Sequence, residues 1–409
     1  MDKKLVIQSG FNLLANGLPA LFGLLSFRWL SEILGLENFG TYILLLAAFG
    51  VFTQIRAGII SAAFIKMAAG KAEISSLLGA SVWISIGVAF FGAVVAIIAC
   101  FLMNNYFTES FVIIIVTFTS IPSFIAINVN SAQGLFQKVA LIRCLEAGVY
   151  LLFLLLFTDS NSSIADVLLY FVISSILVSI FILGVQRLPI KFHFSKAVFA
   201  DIKELWSFGK YTTGTQLVTS LLTNTDIFLI NFFLGSYYVA LYEFGRKWLE
   251  IFEVPFRSLA GVYYTEVSTM MNSGKGKEIW KFITKRAVRT SLICLFFLPM
   301  VYVSAPLLIE LISGEHNEIS IRIFRILSLL VLFIPFDRFL GLSLDVIGFP
   351  NLNLFKGFAL LATNVVLDII AIKLGLGITG VAMVSLAFYA LGSCLSFYWL
   401  RVKSIEINT

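Results

Sequence analysis

The sequence predicts an all-α, polytopic membrane protein: about twelve transmembrane helices in two six-helix halves, related as a parallel repeat around a central polar cavity. Three observations predict it. The 409 residues are 59% hydrophobic and only 13% charged, with 41 phenylalanines, where an ordinary globular domain carries about 25% charge. Apolar runs long enough to cross a hydrocarbon core of about 30 Å recur along the whole chain and leave no room for a soluble domain of ordinary size. Basic residues, finally, collect in every second connection between those runs.

The spans fall at about 9–30, 41–64, 77–102, 110–129, 138–158, 165–185, 208–233, 237–265, 287–312, 321–345, 354–373 and 378–400. The start, MDKKLVIQSGFNLLANGLPALFGLL, has the charges of a signal peptide, but Asn12, Asn16 and Pro19 interrupt its apolar run and no small-residue cleavage site follows, so it reads as a retained first span. One set of connections holds Lys66 and Lys71, Lys138 and Arg143, the lysines of 187–210, the basic cluster of 275–289 and Lys356; the other set is nearly free of Lys and Arg. The bias places both termini in the cytoplasm. Residues 1–190 form the first half, 191–207 a basic linker and 208–409 the second half. Within the linker SKAVFADIKELW presents Val198, Phe199, Ile202, Leu205 and Trp206 as an interfacial amphipathic helix on the lipid surface.

A repeat is visible at an offset of 200. LGLENFGTY (34–42) answers LGSYYVALY (234–242), and Pro122, Gly134 and Arg143 are matched by Pro335, Gly348 and Lys356, with the same interval of 21 residues from proline to base. Six spans per half is an even number, so both halves enter the membrane from the same side and the pathway is expected between them.

The eighth span contains FGRKWLEIFEVPFR (244–257), too charged to face lipid. Glu243, Arg246, Glu250, Glu253 and Arg257 are spaced 3, 4, 3 and 4, so at 100° per residue they share one face. The seventh span repeats the pattern with Thr212, Gln216, Thr219, Thr223 and Asp226, and the first answers with Asn12 and Asn16. Arg56 with Thr53, Arg338 with Asp345, and Asn353, Asn364 and Asp368 add polar faces on other spans. Pairing at i,i+4, as of Glu253 with Arg257, accounts for single charges; stripes on several spans together predict a water-filled cavity.

Much chemistry is absent from the sequence. No P-loop, GxSxG or HExxH pattern occurs, the two histidines lie in polar connections, and the four cysteines sit in or beside apolar runs with no CxxC pair. An enzyme, a metal centre and a nucleic-acid partner are not expected, and the +6 charge belongs to the membrane surface.

The first span ends in FRWLSEILGLENFGTY, in which Arg28, Leu34, Gly35, Phe39, Gly40 and Tyr42 resemble the opening of bacterial polysaccharide exporters of the O-antigen flippase type. These belong to the superfamily that also holds multidrug and toxin extrusion proteins and lipid II flippases. The resemblance implies translocation of an undecaprenyl-diphosphate-linked oligosaccharide across the bacterial inner membrane. Its partners would be that lipid-linked substrate, membrane lipids, and a polysaccharide polymerase with its chain-length machinery. Arg56, Arg246, Arg257 and Arg338 are then candidate cavity cations for the diphosphate, and Arg143 and Lys356 candidate groups at the cytoplasmic entrance. Asp226, Glu243, Glu250 and Glu253 are cavity acids, of which Asp226, with no cation at i±3 or i±4, is the candidate for coupling to H+ or Na+; no other cofactor is implied. The alternative is an ion-coupled multidrug or metabolite antiporter of the multidrug and toxin extrusion type.

Overall fold

The computed structural model describes the backbone over residues 3–68, 74–103, 107–186 and 195–406, and the side chains over the same stretches apart from 3–16, 98–103, 107–111, 113, 196, 211, 265 and 272. No strand occurs among the described residues. The helices are α1 (Lys3–Ala68), α2 (Ser75–Met103), α3 (Phe107–Thr119), α4 (Ile121–Ala132), α5 (Phe136–Phe157), α6 (Ile164–Gln186) and α7 (Lys196–Leu234). They continue with α8 (Ser236–Asn272), α9 (Ile279–Val303), α10 (Ala305–Ser313), α11 (Glu318–Ser328), α12 (Ile334–Val346), α13 (Pro350–Lys373) and α14 (Gly377–Glu406). The chain separates into two compact units, 1–220 and 221–409, with the boundary inside α7.

Among the described residues nine helices are long and apolar enough to cross a membrane, or ten when α11 and α12, bent by 42°, count as one broken span. Two further segments complete the expected twelve. Gly35 divides α1 in two, and α8 is long enough but too charged to count as apolar. This is a multi-pass membrane protein, and its outward side chains agree: Phe90, Leu156, Ile180, Phe296 and Val303 are all more than half exposed, tolerable for such residues only in lipid.

The repeat read from the sequence has a backbone cause. Gly35 (φ 70°, ψ 163°) and Gly235 (φ 98°, ψ 166°) occupy a region open essentially to glycine alone, and each breaks a helix at the same place in its half. Pro122 and Pro335 stand in the first turn of α4 and α12, where a missing N–H costs nothing. Gly134 and Gly348 then end those helices by the same pair of bonds: Leu135 N–H to Asn130 O (2.8 Å) with Gly134 N–H to Ser131 O (3.1 Å), and Phe349 N–H to Leu344 O (2.9 Å) with Gly348 N–H to Asp345 O (3.2 Å). That is the left-handed glycine stop of a helix, made twice.

In the first unit the core joins Ile60, Phe64, Leu78 and Ile125 to Val198 and Leu205 of α7. The stretch expected as an interfacial helix is therefore the first part of α7, and its apolar residues divide between two tasks. Val198, Ile202 and Leu205 pack inward, while Phe199 and Trp206, 58% and 56% exposed, face out; residues 191–194 of the expected linker lie outside the described residues. Beyond that stretch α7 meets α1 at backbone distance: a methyl group at Gly209 would overlap Ile59 O, and one at Gly58 would lie 2.5 Å from Thr213 Cα. In the second unit Ile283, Ala287, Phe339, Leu344 and Leu400 form the main core.

Candidate functional site

Arg56 decides the character of the first unit. It comes from α1 at 4% exposure, with its guanidinium 4.4 Å from the ring centroid of Phe124. The chain breaks between α3 and α4 at Ser120, and there Nη1 donates to Thr117 O (3.3 Å) and Nη2 to Ser120 Oγ (3.2 Å). Nε is left without a protein partner. The Arg56 guanidinium is thus hydrogen-bonded to neutral groups, and Glu146 acts on it only at longer range.

That guanidinium opens on a cavity of about 510 Å³ within the first unit. Arg143 and Glu146 of α5 line it too, together with the rings of Phe49, Phe124, Tyr150 and Phe171 and the hydroxyls of Thr53, Ser120, Ser123, Ser174 and Ser175. Glu146 lies within electrostatic reach of both arginines. Tyr150 is fixed by a 2.7 Å bond to the Tyr42 hydroxyl, and its ring sits 5.1 Å from that of Phe171. The lining thus carries two fixed cations against one carboxylate, among aromatic faces and hydroxyls. Such a set suits an anionic group attached to a polar, ring-shaped one.

The second unit treats its charges differently. Arg246 Nε donates to Glu243 and its Nη1 to Thr223 O (3.1 Å); Lys247 meets Glu250 at 2.7 Å. Glu253 accepts from Arg257 (3.1 Å) and from Arg338 of α12 (2.7 Å). Each of these cations on the α8 stripe and on α12 has an acid in contact, so Arg246, Arg257 and Arg338 are charge-paired where Arg56 is hydrogen-bonded to neutral groups. Glu243 is 2% exposed and closed off, whereas Glu250 and Arg257 reach outward. Lys356, expected at an entrance, is instead enclosed at 8% exposure, where Nζ donates to Asp337 (2.7 Å) and Ser396 (2.8 Å). A buried ammonium needs such partners, and they make it an internal tie.

Of the polar residues expected on the seventh span, Thr212 donates to Gly58 O and Gly209 O at the α1–α7 approach, so it joins helices and does not face water. Gln216, Thr219 and Thr223 are exposed, and Asp226 is buried. Asn12 and Asn16 lie outside the residues whose side chains are described.

A sequence profile of the family described as "Polysaccharide biosynthesis protein" matches residues 6–264. The chain belongs to the polysaccharide biosynthesis protein family. Its fold is that of solved transporters of the MOP superfamily. An outward-facing multidrug resistance transporter of the MATE family is similar over 99% of this chain and 96% of the other, with a TM-score of 0.72 at 16% identity. A MOP superfamily transporter from Pyrococcus furiosus Vc1, described by the reverse polarity of its binding pocket, has a TM-score of 0.70 at 16% identity over 99% and 96% of the two chains. An inward-facing MATE transporter gives 0.69 at 15% identity, over 95% of each chain. No curated protein sequence matches the chain.

In this family member the structure brings together Arg56 and Arg143, predicted as separate groups, and adds residues that the sequence reading passed over. Glu146 stands three residues after Arg143, one turn along the same helix face, and that spacing was the available signal. Nothing in the sequence distinguishes Phe49, Phe124, Tyr150 and Phe171 from the other aromatic residues of an apolar chain.

Proposed function

We propose that this protein is a flippase. It moves an undecaprenyl-diphosphate-linked oligosaccharide, a repeat unit of O-antigen or a related surface polysaccharide, from the cytoplasmic to the periplasmic leaflet of the bacterial inner membrane by ion-coupled alternating access. The observation that carries the reading is the cavity of the first unit, where Arg56 and Arg143 face a single Glu146 beside aromatic rings and hydroxyls. Guanidinium forks suit phosphate oxygens, and the unpartnered Arg56 Nε is a donor awaiting one. Rings and hydroxyls suit sugars, and the volume lies within the usual 300–1,000 Å³ or so of ligand pockets. Membership of the polysaccharide biosynthesis protein family supports the same substrate class.

The likeness in fold to multidrug transporters favours a second reading, a drug or metabolite antiporter. A small cationic drug would meet two arginines against one carboxylate in this cavity, which weighs against it.

The test is a deletion strain. The flippase reading expects surface polymer to be lost and lipid-linked oligosaccharide to accumulate on the cytoplasmic leaflet. The wild-type gene should restore both, and Arg56→Ala present at the same level in the membrane should not. Intact polymer with altered accumulation of small cationic drugs would move the assignment to the antiporter.

A further inference from the structure

A second cavity, of about 360 Å³, lies in the second unit, where the end of α9 meets α11. Glu318, Arg322 and Arg325 line it from α11; they are spaced 4 and 3, so at 100° per residue they share one face. Tyr302 of α9 and Leu329, in the short 3-10 turn that follows α11, belong to the same wall. Tyr302 sets Arg325 in place: the Arg325 Nε donates to the Tyr302 carbonyl (3.4 Å), and the guanidinium carbon stands 4.8 Å from the centroid of the tyrosine ring. Both Nη nitrogens of Arg325 are left without a protein acceptor among the described residues, and so is the exposed Arg322. Glu318, its side chain 83% exposed, has His316 at 3.6 Å as its one ion-pair partner among the described residues. It forms no pair with Arg322, although the two stand at the i,i+4 spacing that favours one.

The chain on either side of Tyr302 is lipid-facing surface. Met300 and Val303 of α9 and Leu307 of α10 are each at least 70% exposed, which lipid alone tolerates in such a run. Two arginines at that border are costly unless something anionic or wet meets them. From the start of α11 inward, the lined face runs acid, cation, cation, apolar, with Arg322 and Arg325 roughly 6 and 10 Å along the helix from Glu318. A phospholipid with an amine in its headgroup presents the complement in the same order: ammonium outermost, phosphate beneath it, acyl chains deepest. Guanidinium groups take phosphate oxygens in charge-assisted hydrogen bonds, and a carboxylate takes the ammonium. An anionic lipid that lacks the amine would satisfy the two arginines and set nothing against Glu318.

We propose that this cavity binds the headgroup of an aminophospholipid. The phosphate sits between Arg322 and Arg325, the ammonium lies on Glu318, and the acyl chains run past Leu329 into the bilayer. Tyr302 is a positioning residue, since it holds the Arg325 side chain at the cavity. The site is separate from the cavity of the first unit and does not depend on what the protein transports.

The test is native mass spectrometry on the purified full-length protein, stripped of lipid in detergent and titrated with phosphatidylethanolamine or phosphatidylglycerol, with no oligosaccharide present. Wild type is expected to hold the first phosphatidylethanolamine more tightly than the first phosphatidylglycerol. Arg322→Gln is expected to weaken both by about tenfold, the loss of a hydrogen bond to a charged group. Arg325→Gln is expected to do the same; should it fold poorly, Arg322→Gln, at an exposed side chain, carries the test. Glu318→Gln is expected to abolish the preference while phosphatidylglycerol stays bound. Equal retention of both lipids by wild type and Arg322→Gln overturns the proposal. So does a wild type that holds phosphatidylglycerol as tightly as phosphatidylethanolamine, since the amine would then go unread. Displacement of the lipid by inorganic phosphate at equal concentration also overturns it, because the cavity would then be a site for free anions.

Discussion

Arg338 Nη2 meets Glu253 Oε2 at 2.7 Å across 85 positions of sequence, and Arg257 reaches the same oxygen at 3.1 Å. One carboxylate, 14% exposed, holds two guanidinium groups apart, of which Arg338 is the less exposed. Glu253→Gln is expected to lower stability by about 1–3 kcal/mol, because it leaves two neighbouring cations without their acid. Arg257→Ala, at a side chain 58% exposed, is expected to cost under about 1 kcal/mol. Unfolding of the three proteins in detergent gives the order; an Arg257→Ala variant as damaged as Glu253→Gln would contradict it.

The α1–α7 approach makes a sharper prediction. Gly58 and Gly209 face backbone atoms of the opposite helix, which have no rotamer to yield. Alanine at either position is expected to cost at least about 1–3 kcal/mol by forcing the helices apart. Gly148, where an added Cβ would meet only the ring of Phe22 at 3.4 Å, should tolerate alanine with a much smaller loss, and thermal unfolding of the three variants separates the cases.

Gly35 and Gly235 should behave alike although they stand 200 residues apart. Each sits where a side chain is strained by roughly 1–3 kcal/mol, so alanine at either is expected to destabilise by that amount, and equal losses would confirm that the two breaks are one device used twice.

These glycines also show how far the sequence could be read. The repeat was legible because the break needs a residue free of Cβ, and that requirement leaves a letter at the same place in each half. Helical spacing likewise placed Glu243, Arg246, Glu250, Glu253 and Arg257 on one face of α8. Periodicity names a face, however, and says nothing about what lies opposite. Glu253 finds Arg338 on α12, Lys356 finds Asp337 and Ser396, and Asp226 finds Tyr242, Asn364 and Ser385, each through packing between helices. The apolar set of 198–206 divides for the same reason: Val198, Ile202 and Leu205 pack into the protein while Phe199 and Trp206 stay exposed. Arg143 and Glu146 could have been joined by their spacing; Arg56 and Phe124 could not.

Arg56 separates charge from geometry. Arg56→Lys keeps the positive charge but loses the fork that spans Thr117 O and Ser120 Oγ while leaving Nε free. Transport is expected to fall with lysine and to be lost with alanine, in protein whose thermal midpoint has been measured alongside. Full transport with alanine would remove this guanidinium from the substrate path.

The most direct measurement uses the purified protein in lipid vesicles loaded with lipid-linked oligosaccharide extracted from the deletion strain. A lectin or glycosidase added outside reports the fraction of sugar exposed on the outer leaflet. The account predicts that wild-type protein makes the inner pool accessible much faster than in protein-free vesicles, and that Arg56→Ala does not. An inner pool that stays protected as in empty vesicles, with protein that is folded and expels a small cationic dye, would contradict it.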